Sequence, residues 1–185
     1  MSRSQMLASP TEVVRFWSDA GADRWFRKDE AFDREFRDRF LPAHAAAAHG
    51  ELLDDWRRTA EGSLGLLVLL DQFPRNAFRG SARMYATDAL ARLVAQQAVE
   101  AGQRGQVAQA MQGFFHLPFS HSEWLPDQVR AVELARTLDP ESERWAIHHH
   151  DVVARFGRFP HRNALLGRNS TAAERAFLAE GGFAG

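Results

Sequence analysis

Apolar residues recur at intervals of three and four over most of the chain, which is the spacing of one face of a helix. Phe32, Phe36 and Phe40 are four residues apart among charged positions. This stripe predicts an amphipathic helix with its phenylalanines in the core and its charged side chains in solvent. Residues 64–70 are apolar at nearly every position and predict a buried helix at the centre of the fold. Because alternating strand patterns are nearly absent, the sequence predicts an all-α fold.

Capping residues and prolines divide these stretches into separate helices. Residues 9–12 and 171–174 have the pattern of capping boxes, each of which predicts the start of a helix. Pro74 is expected to terminate the buried helix, and a long amphipathic helix is expected over residues 81–101. This gives about eight or nine helices with short connections. Short connections favour antiparallel helix pairs, here in a single domain over residues 1–185.

The composition narrows the classes of partner. The net charge is −1 and the isoelectric point is near 6.7, so no general positive field favours nucleic acid or an anionic membrane surface, and neither is expected as a partner. Cysteine is absent, which excludes thiol catalysis and thiolate metal sites. No apolar run approaches the roughly 18 residues of a membrane span, and the first ten residues lack the apolar core of a secretion signal. We therefore expect a soluble, cytoplasmic protein.

Three motifs carry a resemblance to a known family. They are LDQFPRNAFRG at residues 70–80, FFHLPFSHSE at 114–123 and RFGRFPHRNALLGRNST at 155–171. These motifs resemble those of the bacterial domain of unknown function 924 family, and the resemblance extends over roughly residues 10–180. It implies an all-α, tetratricopeptide-like α–α superhelix of stacked antiparallel helix pairs, and it implies no established reaction. Members often carry an arginine shortly before the paired phenylalanines, where this chain reads AQAMQGFF.

A first group of candidate ligand-binding residues lies at the break after the buried helix. An arginine held just after a proline presents its planar fork from a fixed backbone, which suits a carboxylate or a phosphate. Alternatively, the arginines bond the carbonyl groups left free at the helix end, while the aspartate pairs with one of them. The group comprises Asp71, Gln72, Arg75, Asn76 and Arg79.

The turn between Pro118 and Pro126 carries a second group. His121 and Glu123 would point apart on one helix, but a turn allows both to face one cavity, where Glu123 could orient His121 as a general base. Together with His116 they lack the spacing typical of helix-borne zinc ligands, and no metal site is predicted. The alternative is that this turn only caps the next helix.

The stretch of residues 155–171 holds a third group, together with a histidine from the helix before it. His161 is a candidate acid or base beside arginines that could hold an anion. These arginines outnumber the carboxylates expected near them, which favours an anion pocket; a fully paired network in the core is the alternative. The candidate ligand-binding residues here are His149, Arg155, Arg158, Arg162, Asn163 and Arg168.

Two functions follow from these groups. The first is a pocket lined by arginine and histidine for a small anionic ligand, with His121, Glu123 and His161 as candidate catalytic residues of an acid–base enzyme. The second is a tetratricopeptide-like interaction module whose groove binds a peptide or its carboxylate terminus. A closed pocket would favour the first and an open groove the second. No serine elbow, phosphate-binding glycine loop or dinucleotide fingerprint is found, and the cofactor and the oligomeric state are left open.

Overall fold

The structure, a computed structural model, describes residues 7–183 and is built from helices. No strand occurs in these residues, so the predicted all-α fold is confirmed. Short 3₁₀ segments link several of the helices. The α-helices are α1 (Pro10–Ala20), α2 (Ala22–Trp25), α3 (Glu30–Ala48), α4 (Leu53–Trp56), α5 (Ala60–Leu67), α6 (Phe73–Ala77), α7 (Asp88–Glu100), α8 (Leu117–Ser120), α9 (Leu125–Ala135), α10 (Pro140–Phe156) and α11 (Ala172–Ala179).

Both predicted capping boxes are confirmed. The Ser9 side chain accepts a hydrogen bond from the Glu12 amide, while the Glu12 carboxylate accepts one from the Ser9 amide at 2.8 Å. Thr171 and Glu174 form the same reciprocal pair at the start of α11. Each box satisfies backbone amides that have no partner within their own helix, and this fixes where α1 and α11 begin.

The phenylalanine stripe of α3 lies in the core, as predicted. Phe36 and Phe40 are fully buried and Phe32 is nearly so. The ring of Phe16 from α1 stacks on Phe36 with the ring centroids 5.3 Å apart, and Phe73 from α6 meets Phe36 edge-on at 5.1 Å. Aromatic pairs contribute about 0.5–1.5 kcal/mol beyond the area that they bury, so these contacts hold α3 between α1 and α6.

The apolar stretch predicted to be central is buried, but the proline after it does not end the helix. Helix α5 continues through a π-helical turn at Val68–Gln72 into α6, which runs to Ala77. The prediction that Pro74 terminates this helix is therefore wrong. Proline removes one backbone donor from the hydrogen-bond ladder, so the carbonyl that loses this donor needs another partner.

Two side chains supply that partner. With α-helical spacing the proline nitrogen would face the Leu70 carbonyl, and with π-helical spacing the Leu69 carbonyl. The Thr87 hydroxyl donates to the Leu70 carbonyl at 2.6 Å, and Nδ1 of His44 bonds the Leu69 carbonyl at 2.9 Å. The helix continues past the proline because neither carbonyl is left without a partner in the core.

The helix predicted over residues 81–101 is shorter in the structure. A 3₁₀ turn covers Ala82–Tyr85, and α7 begins only at Asp88. The break places Asp88, in the first turn of α7, against the guanidinium of Arg75. A tertiary ion pair here takes precedence over the local amphipathic pattern from which the longer helix was predicted.

Helix α5 approaches the single turn of α4 very closely at two glycines. A Cβ atom on Gly62 would overlap the carbonyl oxygen of Trp56, and one on Gly65 would lie 3.1 Å from the Trp56 ring. Trp56 itself is buried. Glycine is needed at Gly62 because the backbones of the two segments lie too close for any side chain.

The last third of the chain packs onto this core. Helices α9 and α10 lie against each other, and the segment that follows α10 returns to the interior, where Phe159 is fully buried. After α11 the chain turns back and places Phe183 against Phe159. None of the helices in residues 7–183 combines the length and the apolar composition that crossing a membrane requires. The tetratricopeptide-like superhelix stays a prediction.

Candidate functional site

Two of the predicted ligand-binding residues bind a carboxylate on α3. Asn76 Nδ2 donates to Oδ1 of Asp33 at 2.7 Å, and Arg79 Nε donates to Oδ2 at 2.6 Å. The Asp33 side chain is largely buried. These contacts join the end of α6 to α3, so the donors of Asn76 and Arg79 are used in holding two helices together.

Arg158 is paired with a buried carboxylate on α11. Its Nε and one terminal nitrogen donate to the two carboxylate oxygens of Glu174 at 2.7 and 2.9 Å, and the same nitrogen donates to the Asn169 carbonyl at 2.9 Å. Hydrogen bonds from Arg158 and from the Thr171 amide lower the pKa of Glu174 to about 2. Arg158 therefore holds the segment before α11 against that helix.

Arg168 binds Glu123, the carboxylate predicted to be catalytic. Its two terminal nitrogens lie 2.6 and 2.9 Å from the oxygens of Glu123, which also accepts a hydrogen bond from the Phe159 amide at 2.8 Å. Burial would raise the pKa of Glu123, but the hydrogen bonds from Arg168 and Phe159 outweigh it and lower the pKa. The expected pairing of Glu123 with His121 is therefore corrected, since Glu123 is bonded to Arg168.

The carboxylate that orients His121 is Asp71. His121 Nδ1 lies 2.7 Å from Oδ1 of Asp71, and Gln72 donates to Oδ2 at 2.6 Å. Burial alone would raise the pKa of Asp71, but Arg75 and His121 outweigh it and lower the pKa to about 2. An ionised carboxylate only accepts hydrogen bonds, so Nδ1 of His121 carries the proton and Nε2 is the basic nitrogen. Nε2 makes no hydrogen bond within residues 7–183.

His121 is neutral near pH 7 despite its carboxylate partner. Burial lowers its pKa, the charge of Arg75 lowers it further, and the charge and hydrogen bond of Asp71 offset part of the shift. The side chain keeps 14% of its surface exposed. A neutral imidazole with one nitrogen bonded to a carboxylate and the other free has the properties of a general base.

Asp88 is shared by two arginines. Arg75 donates to both of its oxygens, at 2.8 and 3.1 Å, and also to the Asp71 carbonyl at 2.8 Å. Arg162 reaches Asp88 with a single contact of 3.4 Å. The guanidinium of Arg75 is therefore well bonded, whereas that of Arg162 has one weak contact to a carboxylate that is already engaged.

Arg162 is buried between two aromatic rings. Its guanidinium carbon lies 4.5 Å from the ring centroids of both Tyr85 and Phe159, and the residue is only 6% exposed. Its Nε is buried and has no hydrogen-bond partner. Burial lowers the pKa of Arg162, and the charge of Asp88 offsets part of this shift. Buried polar groups nearly always have partners, so an arginine with an unused donor is unusual.

Two further histidines lie beside these groups. The ring of His149 is 6.2 Å from that of His121, and its Nδ1 bonds the Trp145 carbonyl at 2.7 Å. Burial, reinforced by His121, lowers the pKa of His149 to about 3. Burial and the charge of Arg162 lower the pKa of His161 to about 4, and its Nδ1 is buried without a partner. Both imidazoles are therefore neutral at physiological pH.

The structure brings part of the predicted site together and adds two residues to it. We call the assembled group the central cluster, and it consists of Asp71, Arg75, Tyr85, Asp88, His121, His149, His161 and Arg162. The charges of its two aspartates and its two arginines cancel, and its three histidines are neutral.

The remaining predicted residues lie outside the central cluster. Arg155 is exposed, with its guanidinium over the rings of Phe156 and Phe177 at 4.7 and 5.5 Å. Asn163 is buried and accepts a hydrogen bond from Arg168 at 3.0 Å. Gln72 donates a hydrogen bond to Asp71, which is a member of the cluster.

Tyr85 and Asp88 were missed because their signals in the sequence are weak. Tyr85 is the single tyrosine of the chain, and Asp88 falls inside the long amphipathic helix expected over residues 81–101. A usable signal for Asp88 is its place 13 residues after Arg75, across one short connection. For Tyr85, only the folded position beside Arg162 identifies it.

Two surface clefts lie elsewhere on the protein. One, of about 240 Å³, is lined by residues of α7 and α9 together with Phe119 and Trp124. The other, of about 280 Å³, lies between α1 and α3. Neither is lined by a residue of the central cluster. In residues 7–183, no three histidine, cysteine or acidic side chains are grouped so as to hold a metal ion.

Comparisons with known proteins identify the family. The family model described as bacterial protein of unknown function (DUF924) matches residues 13–182, and the chain belongs to this family. Among solved structures, the chain is similar to a protein of unknown function from Agrobacterium tumefaciens, with 51% sequence identity and a TM-score of 0.90. The similarity covers 92% of this chain and 97% of that one. Comparison with the curated proteins finds none that matches.

Proposed function

We propose that the central cluster binds a small anionic molecule at Arg162 and that His121 exchanges a proton with it. The observation that carries this proposal is the bonding of Arg162, which is buried yet has one 3.4 Å contact and an Nε without a partner. A guanidinium presents five donors in a planar fork that matches a carboxylate or a phosphate. An anionic ligand supplies the acceptors that the protein itself does not.

The other arginines of the predicted site, apart from the exposed Arg155, are already bonded to carboxylates, and this confines the proposed anion site to Arg162. Arg79, Arg158 and Arg168 each have a carboxylate that they bind through two contacts or more. Their charges are therefore already compensated, and an anion gains less from them than from Arg162. The proposed ligand site consequently contains fewer arginines than the pocket that was predicted from residues 155–171.

The proton step uses the free nitrogen of His121. The Nε2 lone pair accepts a proton from the bound molecule, the imidazole becomes an imidazolium, and the ionised Asp71 stabilises it through Nδ1. The electron pair of the broken bond stays on the ligand, whose added negative charge is held by Arg162. The reverse transfer returns the proton, so the pair serves as base and then as acid.

A thermal-shift experiment with matched variants tests the anion site. Inorganic phosphate, acetate and succinate are added in turn to the wild type, Arg162→Met and Arg155→Met. Arg155 is the control because it also lies over aromatic rings but is exposed. A ligand at about 100 times its Kd stabilises by about 2.7 kcal/mol, or roughly 5–10 °C for a chain of this size.

We expect at least one anion to raise the melting temperature of the wild type and Arg155→Met and to leave Arg162→Met unmoved. No shift from any of the three anions, or an equal shift in Arg162→Met, rejects the anion site.

The proton step is tested by nuclear magnetic resonance of the His121 ring. A nearby negative charge favours the imidazolium, so the pKa of His121 should rise on saturation with the anion; an unchanged pKa contradicts a role for His121.

The cleft beside Trp124 supports a second candidate function, an interaction module that binds a peptide. Trp124 is 62% exposed at its rim, and its lining holds Arg92 and Arg130 together with the carboxylates of Glu100 and Asp127. An open cleft with an aromatic wall and guanidinium groups suits a peptide that ends in a free carboxylate. Tryptophan fluorescence with a short peptide bearing either a free or an amidated C-terminus tests this function, and equal responses to both peptides contradict it.

A further inference from the structure

The ring of Phe183 fills a slot whose walls are imidazole and phenyl rings. Its centroid lies 4.6 Å from that of His149, 5.1 Å from His161, 5.3 Å from His148 and 6.0 Å from Phe159. The contacts with the three histidines are edge-to-face, which is a favoured arrangement of aromatic rings. Phe183 is half-buried in this position. We call this place the ring slot.

A tight turn after α11 delivers Phe183 to the ring slot. Gly181 has a φ of 81°, and the Gly182 amide donates to the Phe177 carbonyl at 2.9 Å. A Cβ atom on Gly182 would lie 2.5 Å from that carbonyl oxygen and 2.7 Å from the Phe177 ring. Only glycine fits there, so the path of the chain that seats Phe183 depends on this residue.

Two walls of the ring slot, His149 and His161, are members of the central cluster, and a third wall, Phe159, contacts another member. The ring of His149 is 6.2 Å from that of His121, and the centroid of Phe159 lies 4.5 Å from the guanidinium carbon of Arg162 and 6.0 Å from the Phe183 centroid. Phe183 therefore lies against two of the three histidines of the cluster. Burial lowers the pKa of both His149 and His161, which agrees with a covered position.

We propose that the ring slot is a subsite for an aromatic ring of the ligand and that Phe183 occupies it until the ligand replaces it. This inference rests on the anion site proposed at Arg162. The ligand is then a small carboxylate with an aromatic ring a few bonds away, its ring among the histidines and its carboxylate at Arg162. The exchange replaces one benzyl-like group with another, so the contacts that Phe183 gives up are made again by the ligand.

Phe183 competes with the ligand because it is tethered beside the slot. A group on a short linker has an effective local concentration in the millimolar range, so a free ring competes against it at a disadvantage. The apparent affinity of a ligand equals its affinity for the open site multiplied by the fraction of molecules in which that site is open. Removing the Phe183 ring should therefore tighten ligand binding, although it takes contacts away from the folded protein.

Calorimetric titration tests the exchange with three probes and three proteins. The probes are 3-phenylpropionate, 3-cyclohexylpropionate of similar size without an aromatic ring, and propionate without any ring. The proteins are the wild type, Phe183→Ala and Phe26→Ala, which removes a phenyl ring that is 70% exposed and packs on Phe114. We expect Phe183→Ala to bind 3-phenylpropionate about tenfold or more tightly than the wild type, corresponding to a slot that is open in about a tenth of the molecules or fewer. Phe26→Ala should bind like the wild type.

A second variant keeps the Phe183 ring and displaces the turn that carries it into the slot. Gly182→Ala should tighten the binding of 3-phenylpropionate in the same direction as Phe183→Ala, because its Cβ atom moves the turn away from the carbonyl of Phe177. Unchanged or weaker binding of 3-phenylpropionate in both variants overturns the ring subsite, as does an equal gain in Phe26→Ala.

The outcomes separate this inference from the proposed anion site. If propionate binds in a manner that depends on Arg162 but 3-phenylpropionate has no advantage over 3-cyclohexylpropionate, the ring subsite fails and the anion site stands. If none of the three acids binds to the wild type or to Phe183→Ala, the ring subsite and the binding of a carboxylate at Arg162 are both rejected, and inorganic phosphate then decides the anion site. A preference for 3-phenylpropionate that survives in Arg162→Met supports the slot and contradicts the anchoring of the carboxylate at Arg162.

Discussion

Nε of Arg158 lies 2.7 Å from Oε1 of Glu174, 16 residues further along the chain. The Glu174 side chain is 2% exposed, so a variant that removes the guanidinium leaves a buried carboxylate without its main partner. We expect Arg158→Met to unfold at a lower urea concentration than the wild type. Arg144→Met, which breaks an ion pair between two exposed side chains, should change the midpoint little and serves as the control.

A double-mutant cycle separates the Arg158–Glu174 pair from packing effects. If the pair stabilises the fold, Arg158→Met should cost less stability in a Glu174→Gln background than in the wild type. Equal costs in the two backgrounds would show that the pair contributes nothing measurable. Such a result would return Arg158 to the residues available for a ligand.

The Thr87 hydroxyl is expected to stabilise the helix that contains Pro74. Thr87→Val keeps the shape of the side chain and leaves the Leu70 carbonyl without its 2.6 Å donor, which should lower the free energy of unfolding by about 1–3 kcal/mol. Thr11→Val, at an exposed hydrogen bond to Glu61, is the matched control and should have a smaller effect. Urea unfolding measures both, and an equal loss in the two variants contradicts a special role for Thr87.

The close approach of α4 and α5 predicts a large effect of a single methyl group. Gly62→Ala places a Cβ atom on the Trp56 carbonyl oxygen, and the overlap should cost about 1–3 kcal/mol or more, even after the gain of up to about 1 kcal/mol in helix propensity. The melting temperature should fall by about 2–4 °C for each kcal/mol. Gly105→Ala is the control because its Cβ atom would meet nothing within 4 Å. Equal melting temperatures in the two variants would mean that α4 can move away.

Buried neutral histidines predict a loss of stability in mild acid. Burial lowers the pKa of His116 to about 4 and of His149 to about 3, below the value of about 6.5 in the unfolded chain. As the pH falls below about 6.5, the unfolded state therefore takes up protons that the folded state does not. Each such histidine should lower the free energy of unfolding by up to about 1.4 kcal/mol per pH unit until its folded pKa is reached.

Urea unfolding between pH 7 and pH 5 measures this slope. His116→Gln and His149→Gln should each flatten it, because each removes one group that gains a proton on unfolding. His49→Gln changes an exposed histidine and is the control. A slope that is the same in all three variants contradicts the burial of these imidazoles.

The helices of this protein were largely predictable because their signals are local. A capping box is formed by residues three apart, and the stripe of Phe32, Phe36 and Phe40 follows from the helical repeat. Pro74 was misjudged by a rule that is equally local. The helix survives the proline because Thr87 and His44 reach its carbonyls, and these side chains are 17 and 25 residues away from them.

The members of the candidate site were predictable in part, but their pairing was not. His121, Asp71 and Arg75 were identified from their residue types, yet the sequence indicated Glu123 as the partner of His121. Asp33 lies on a helix face whose sequence indicates exposure to solvent, yet it accepts a hydrogen bond from Arg79, 46 residues away. Which carboxylate meets which arginine depends on how helices pack, and that information is not carried by spacing along the chain.

The cancelling charges of the central cluster have a thermodynamic consequence. A site with two aspartates, two arginines and neutral imidazoles gains a net negative charge when an anion enters it, and the nearest histidines then become more basic. Ligand entry is thereby linked to proton uptake from solvent. The heat of binding should consequently vary with the ionisation enthalpy of the buffer, and affinity should increase as the solution is made more acidic. The protein would then bind its ligand together with a proton, as the equivalent of a neutral acid.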